Sequence, residues 1–379
     1  MPAGASVAEV VRDIVADVRE RGDAAVAEIE ARFGGRARRV PGSELRAALD
    51  ALSPEVRAAL ELARDNVSAV ARASLSGDRD VDLPHGQTVR VREVPVRRAG
   101  VYAPGGQAPY PSSVIMGAAT ARAAGVDEVV VCAAHPVMFA AAALCGADEV
   151  HAMGGAQAVA ALAYGTETVA PVDVIVGPGL LYAQEAKRQV FGQVGIDGFA
   201  GPSDLVVIAT EAPEAVRLDV LAQAEHGVGC VVAVVSPDAQ LLDAVDGDAG
   251  EALLALIEVA DLEEALAFAE AFAPEHLQLV GADAEALASR VRTAGCVFVG
   301  ATAGTAFGDY LVGSNHVLPT EGAARFASGL NVRHFVRSMA EVRLPAAAAA
   351  KLAAPGAAIA RAEGFTAHAA SMEARMQAR

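Results

Sequence analysis

The sequence predicts an α/β protein with parallel sheets, and three observations carry that expectation. Short β-branched runs, Glu128–Cys132, Val172–Val176, Leu205–Ile208, Val231–Val235 and Cys296–Val299, alternate from about residue 102 with Ala-rich stretches of helical length, the pattern of strands joined by crossover helices. The stretch Ala-Gly125-Val-Asp-Glu-Val returns as Cys-Gly146-Ala-Asp-Glu-Val one strand–helix unit later, which implies a repeated βα step. The 379 residues also exceed the size at which a single core usually keeps growing, so two α/β layers in tandem are expected.

The elements before and after these layers follow from periodicity. Residues 6–32 read as an amphipathic helix, with Val7, Val10, Val11, Ile14, Val15 and Val18 on one stripe and charged residues opposite. A further helix is expected around 54–74, and residues 87–96 alternate apolar and charged positions as a half-buried strand does. These pieces are expected to form an N-terminal lobe. After about 330 the strand pattern fades, and residues 345–355 and 359–375 read as helices separated by proline. That tail carries Glu363 and His368, which argues against dismissing it as disordered.

Composition narrows the function classes. Hydrophobic residues make up 53%, aromatics only 4%, and tryptophan is absent, so the core is built from Ala, Val and Leu, small side chains that let helices pack close to sheets. A formal net charge of -17 argues against nucleic acid, since phosphate neutralisation needs clustered Lys and Arg. Cys132, Cys145, Cys230 and Cys296 lie far apart beside apolar stretches, as buried free thiols do. With no signal-peptide block and no apolar run of membrane length, a soluble cytoplasmic protein is expected.

Polar residues at positions where the pattern calls for apolar ones mark the candidate chemistry. Val216, Val220 and Ala224 form the inner stripe of a helix that also presents Gln223, with His226 one turn on. On spacing alone such a pair is more often a helix-end hydrogen-bonding pair than a metal site. Pro274-Glu275-His276 breaks the helix Leu262–Ala273 before the strand Leu277–Val280, fixing a carboxyl and an imidazole at a strand mouth. They fit either two proton-transfer groups or a boundary Glu and a packed His. Asp309 and His316 lie in turn-rich segments, where functional groups and surface residues are both found. Glycine turns follow Tyr102 and precede Gln157 and Ser203, yet no intact G-x-G-x-x-G fingerprint follows a strand.

Taken in order, AGVYAPGG (99–106), PYPSSVIM (109–116), GGAQAVAALAYGTE (154–167), VDVIVGPG (172–179), GPSD (201–204), LAQAEH (221–226), PEHL (274–277), GDYLVGSNHVLPT (308–320) and EGFTAH (363–368) resemble the blocks of the histidinol dehydrogenase family over nearly the whole chain. The resemblance implies oxidation of L-histidinol to L-histidine, with two NAD per turnover and one zinc per subunit. By motif the zinc ligands resemble Gln223, His226, Asp309 and a partner's His368, the ion orienting the substrate. His276 resembles the base of both oxidations, and Glu275 the residue that activates water. Ser203, His316 and a partner's Glu363 resemble the remaining substrate contacts, while Tyr102 and Gln157 resemble cofactor contacts.

The family's organisation implies two incomplete Rossmann-like domains. Residues 1–101 with 203–330 would carry the catalytic and zinc residues, and the inserted 102–202 would bind NAD. Residues 331–379 would be a helical tail swapped in a homodimer. Two departures stand out: Leu180 where the family has the Asn of GPGN, removing a polar cofactor contact, and Asp204 in place of the Glu of GPSE. The chain also starts late and is abbreviated between His226 and Pro274. The rival readings are a sister dehydrogenase acting on another small polar alcohol, a decayed metal-binding protein, and a metallohydrolase.

Overall fold

The computed structural model describes residues 6–103, 105 and 108–377, so Pro104 and Gly106 of the turn after Tyr102 lie outside the described residues. The chain divides into two units, Met1–Ser74 with Val96–Phe335, and Leu75–Pro95 with Val336–Arg379.

The larger unit contains both expected parallel sheets. In the first, Arg98–Tyr102, Glu128–Cys132, Glu149–Ala152, Val174–Val176 and Gly195–Ile196 run parallel, and Arg38–Arg39 adds antiparallel to the Glu149–Ala152 edge. In the second, all five strands are parallel, in the spatial order Leu253–Glu258, Val231–Ser236, Asp204–Ala209, His276–Val280, Cys296–Val299. In both, the chain works outward from a central first strand to one edge and then crosses back to the other side. This reversal leaves a crevice beside the first strand.

The repeated Gly-x-Asp-Glu motif has a structural cause. Gly125 and Gly146 both adopt left-handed backbone (φ 88 and 67) just after the helices Pro111–Ala124 and Pro136–Leu144, which only glycine does without strain. Each turn then delivers a glutamate to the first position of a strand. Both reach the buried guanidinium of Arg98, which heads the central strand and donates to Glu128 and, at 2.9 Å, to Glu149.

Small residues set the helix–sheet spacing, as the composition implies. The helix Pro111–Ala124 is buried continuously from Ser112 to Ala121, and a Cβ added at Gly117 would lie 2.5 Å from Val101 Cγ1. Alanine's higher helix propensity is worth only about 1 kcal/mol, whereas overpacking costs about 1–3 kcal/mol. Gly117→Ala is therefore expected to lower the denaturant midpoint, and Val101→Ala in the same chain to restore most of it. Unchanged stability of the single variant would contradict this packing.

Alternation places the second sheet between two cores. Leu205, Val207 and Ala209 face Val216 and Val220 of the helix Pro213–Ala224, while Val206, Ile208, Leu277 and Leu279 face Ala265, Leu266 and Ala269 of the helix Leu262–Phe272. Cys132, Cys145 and Cys230 are buried free thiols, and burial pushes that of Cys145 up to about 12. Among the described residues no helix is long and apolar enough to cross a membrane.

Several expectations need correction. The single helix over 6–32 is two, Val7–Arg21 and Asp23–Arg32, because Gly22 turns at φ 56 between them. Their apolar stripe (Val11, Val15, Val18, Ile29) shares a core with Val159 and Leu162 of the helix Gly155–Tyr164. They thus serve the first sheet, not the layer of residues 203–330, and a boundary at 101/102 would cut the strand Arg98–Tyr102. The tail after 330 is not wholly helical either. Val336–Arg343 pairs antiparallel along Thr88–Pro95, with Arg79–Asp82 on its other side, so the strand assigned to the N-terminal lobe belongs to the smaller unit. Mostly exposed on both faces, Val336–Arg343 lacks the alternation that betrays a strand.

Pro355 does not separate two helices but sits inside Ala346–Ala362. The missing N–H and ring clash are local costs. They are offset where Ala357 and Ala360 pack against Ala369 and Met372 of the following helix, Thr366–Glu373.

Candidate active site

Glu275 and His276 stand at the amino end of the strand His276–Val280, beside Ser203 and Asp204 at the amino end of its neighbour. The helix Leu262–Phe272 ends at Ala273 in left-handed backbone (φ 54), and Pro274 prevents its continuation. A reciprocal clasp then fixes the pair of strand ends: Glu275 N donates to Asp204 Oδ1 at 2.7 Å, and Asp204 N donates to Glu275 Oε2 at 3.2 Å. Asp204, shorter than the residue the family resemblance led us to expect, thus holds the backbone of Glu275. Its other oxygen accepts from Glu321 N at 3.4 Å.

A chain of hydrogen bonds leads from Glu275 to the helix Pro213–Ala224. Gln223 Nε2 donates to Ser203 Oγ at 2.7 Å, and Ser203 Oγ donates to Glu275 Oε2 at 2.6 Å. With its NH2 engaged, the buried Gln223 offers its carbonyl oxygen as a ligand. Burial, with smaller contributions from the charges of Asp204 and Asp309, pushes the Glu275 carboxyl up to about 8. Burial also holds His276 down to about 4. A protonation-prone carboxyl therefore sits 3.7 Å from a neutral imidazole.

The ring of His276 is oriented by the same strand pair. Its Nδ1 faces Asp204 O at 3.4 Å; a carbonyl only accepts, so Nδ1 carries the hydrogen and Nε2 keeps a free lone pair. His316 is pinned likewise, with Nδ1 on Asp309 O at 2.8 Å and Nε2 accepting from Ser113 Oγ at 3.1 Å. Burial holds it down to about 4. Half-buried Asp309, on the helix Thr305–Tyr310, is raised to about 6 by loss of water. Loss of water lowers the pKa of His226 as well, and its protonated form would disfavour protonation of both His276 and His316.

Ser203, Gln223, His226, Glu275, His276, Asp309 and His316 are thus gathered in the larger unit. Glu363 and His368 belong to the smaller one, where both are exposed and His368 lies 5.1 Å from the ring of Phe365. Among the described residues no three His, Cys, Asp or Glu side chains gather as a metal site.

Tyr102 and Gln157 both flank the Gly154-Gly155 turn at the carboxyl edge of the first sheet. Tyr102 Oη accepts from Gly155 N at 3.1 Å, while Gln157 Nε2 and Gly154 N both donate to Glu30 Oε1, at 2.9 and 2.8 Å. The Gly177-Pro-Gly turn closes on the same place: a Cβ at Gly177 would fall 1.9 Å from Tyr102 O. Sequence reasoning missed the support of this turn. Lys187, 1% exposed, pairs with Asp197 and donates to Gly177 O at 3.0 Å, and Gly177 N donates to Asp197 Oδ2 at 2.6 Å. The signal was present, since Lys187 interrupts the buried stripe of Ala183, Ala186 and Val190.

Two parallel sheets, one with an acid–base cluster at its amino edge and the other with glycine turns at its carboxyl edge, define an enzyme of the α/β class. The chain belongs to the histidinol dehydrogenase family, whose model matches residues 3–376. It is 43% identical over 396 residues to the histidinol dehydrogenase of Rhizobium meliloti (strain 1021), covering 97% of this chain and 91% of the relative. To that of Cereibacter sphaeroides it is 45% identical over 399 residues, covering 97% and 91%. The crystal structure of the Elizabethkingia anophelis histidinol dehydrogenase superposes with a TM-score of 0.94 at 28% identity, covering 100% of this chain and 94% of that one.

Proposed function

We propose that this protein is a cytoplasmic, zinc- and NAD-dependent histidinol dehydrogenase, oxidising L-histidinol through L-histidinaldehyde to L-histidine in the final steps of histidine biosynthesis. The observation that carries the reading is the Gln223–Ser203–Glu275 chain ending beside a neutral His276.

Gln223, His226 and Asp309 present an amide oxygen, an imidazole nitrogen and a carboxylate, a donor set that suits zinc, and His368 of the partner subunit would be the fourth ligand. When bound, the ion supplies an anchor for the substrate's imidazole and amine, and NAD supplies a hydride acceptor. His276 Nε2 takes the hydroxyl proton as the carbon loses hydride. Glu275, steadied by Ser203 and Asp204 N, takes a proton from the water that adds to the aldehyde. His276 then accepts the hydrate's proton in the second oxidation, so two NAD are consumed. Ser203, His316 and Glu363 of the partner subunit hold the substrate's polar groups. Tyr102 and Gln157 border the cofactor on the first sheet, whose strand order is Rossmann-like without the sixth strand. The tail from 331 to 379 is swapped in a homodimer.

Purified protein supplied with zinc, NAD and L-histidinol should form two NADH per histidine. Oxidation of a different polar alcohol in preference to histidinol would instead assign the sister dehydrogenase. Glu275→Gln is expected to slow aldehyde oxidation by about a hundredfold and the alcohol step far less. Equal slowing of the two, each measured separately, would rule out the water-activating role.

A further inference from the structure

The helix Leu181–Val190 begins at the Gly177-Pro-Gly turn, on the carboxyl edge of the first sheet, and its N-cap, Leu180, makes no side-chain cap hydrogen bond. Apolar Leu180 has no oxygen to accept from the first turn. One turn in stands Gln184, only 7% exposed. Its Oε1 accepts from Ala200 N at 3.2 Å; a backbone N–H only donates, so this contact fixes which end of the amide is which. Gln184 Nε2 is therefore a donor, and among the described residues it has no hydrogen-bond partner. Helical side chains lean toward the N-terminus of their helix, which carries Gln184 toward the glycine turn. The ammonium on this face, Lys187, is already matched by Asp197 and Gly177 O.

A buried amide donor without an acceptor, beside a helix start without a cap, is a site built for acceptor oxygens carrying negative charge. We propose that Gln184 Nε2 donates to the pyrophosphate of the dinucleotide, making Gln184 a cofactor-binding residue of this chain. The inference rests on the reading that the protein binds NAD.

The test is titration calorimetry of the zinc-loaded protein with NAD and with ADP-ribose, which keeps the pyrophosphate but lacks nicotinamide. Gln184→Ala should weaken both ligands roughly five- to tenfold, the loss of one neutral hydrogen bond. Gln184→Glu keeps an acceptor for Ala200 N but sets a negative charge against the phosphates, so it should weaken both further, and more at low salt than at high. L-histidinol affinity should be unchanged in both variants. Unaltered NAD and ADP-ribose binding in Gln184→Ala would overturn the assignment, as would a parallel loss of histidinol affinity, which marks a role in holding the Ala200 loop. Failure of the unsubstituted protein to bind either nucleotide would remove the NAD reading itself.

Discussion

Replacing His276 by Asn is expected to slow both oxidations by about a thousandfold while leaving zinc stoichiometric. The side chain is buried, and its Nδ1 faces Asp204 O, so the proton-accepting atom is Nε2. Asn keeps a donor near Asp204 and roughly the volume of the site, but it cannot accept a proton at neutral pH. Rates with histidinol and with histidinaldehyde, measured separately, should fall together, since in the proposed mechanism both oxidations begin at this nitrogen. Zinc loss in the variant, or slowing of only one step, would contradict the role. Verified heterodimers of His276→Asn with His368→Ala subunits extend the test to the tail. If His368 completes the partner's site, one of the two sites in the mixed dimer is intact and activity returns in part.

Lys187→Met is expected to destabilise the protein by about 3–5 kcal/mol, the cost of leaving a buried carboxylate unpaired. Lys187 and Asp197 are each only 2% exposed at the side chain, and screening by water is correspondingly small. Adding Asp197→Leu should recover part of the loss. It cannot recover all, because Gly177 N donates to Asp197 Oδ2 and would then lack an acceptor. Denaturant unfolding of the single and double variants provides the measurement. A Lys187→Met cost below about 1 kcal/mol, the scale of an exposed pair, would show that the pair is not closed to water. Nucleotide affinity should fall in the single variant as well, since Lys187 and Asp197 grip both sides of the Gly177 turn.

The strands that wrote themselves plainly were short β-branched runs, buried in Glu128–Cys132 and half-buried in the edge strand Cys296–Val299. Glu128–Cys132 and Cys296–Val299 appear with the expected bounds, because an uninterrupted β-branched run has few other homes. Arg98–Tyr102 is buried throughout yet reads Arg-Ala-Gly-Val-Tyr. Its Arg is matched by two distant glutamates and its Gly by the close approach of Leu162, where a Cβ would lie 3.1 Å from Cδ1, and neither partner is visible locally. At the site, Gln223 and Glu275 announced themselves as polar residues against apolar patterns, but their link through Ser203 is a contact between residues 20 and 72 positions apart. Asp204 was noticed as a departure and proves to be half of a backbone clasp. Periodicity reports what faces a core; it is silent on which polar groups meet across one.

The two edges of the parallel sheets differ in polarity. In a βα unit the helix runs opposite to the strands, so helix C-termini gather at the amino edge of a sheet and helix N-termini at the carboxyl edge. The helices Leu262–Phe272 and Pro213–Ala224 end shortly before Glu275 and His226, directing the negative ends of their dipoles toward the acid–base cluster. That field favours positive charge, which in the proposed reaction would be carried by a metal cation, a substrate ammonium and His276 once it takes a proton. The helix Leu181–Val190 starts at the opposite kind of edge and directs its positive end toward the glycine turn, a field suited to phosphate. Strand direction alone thus sorts cationic from anionic ligands before any side chain selects between them.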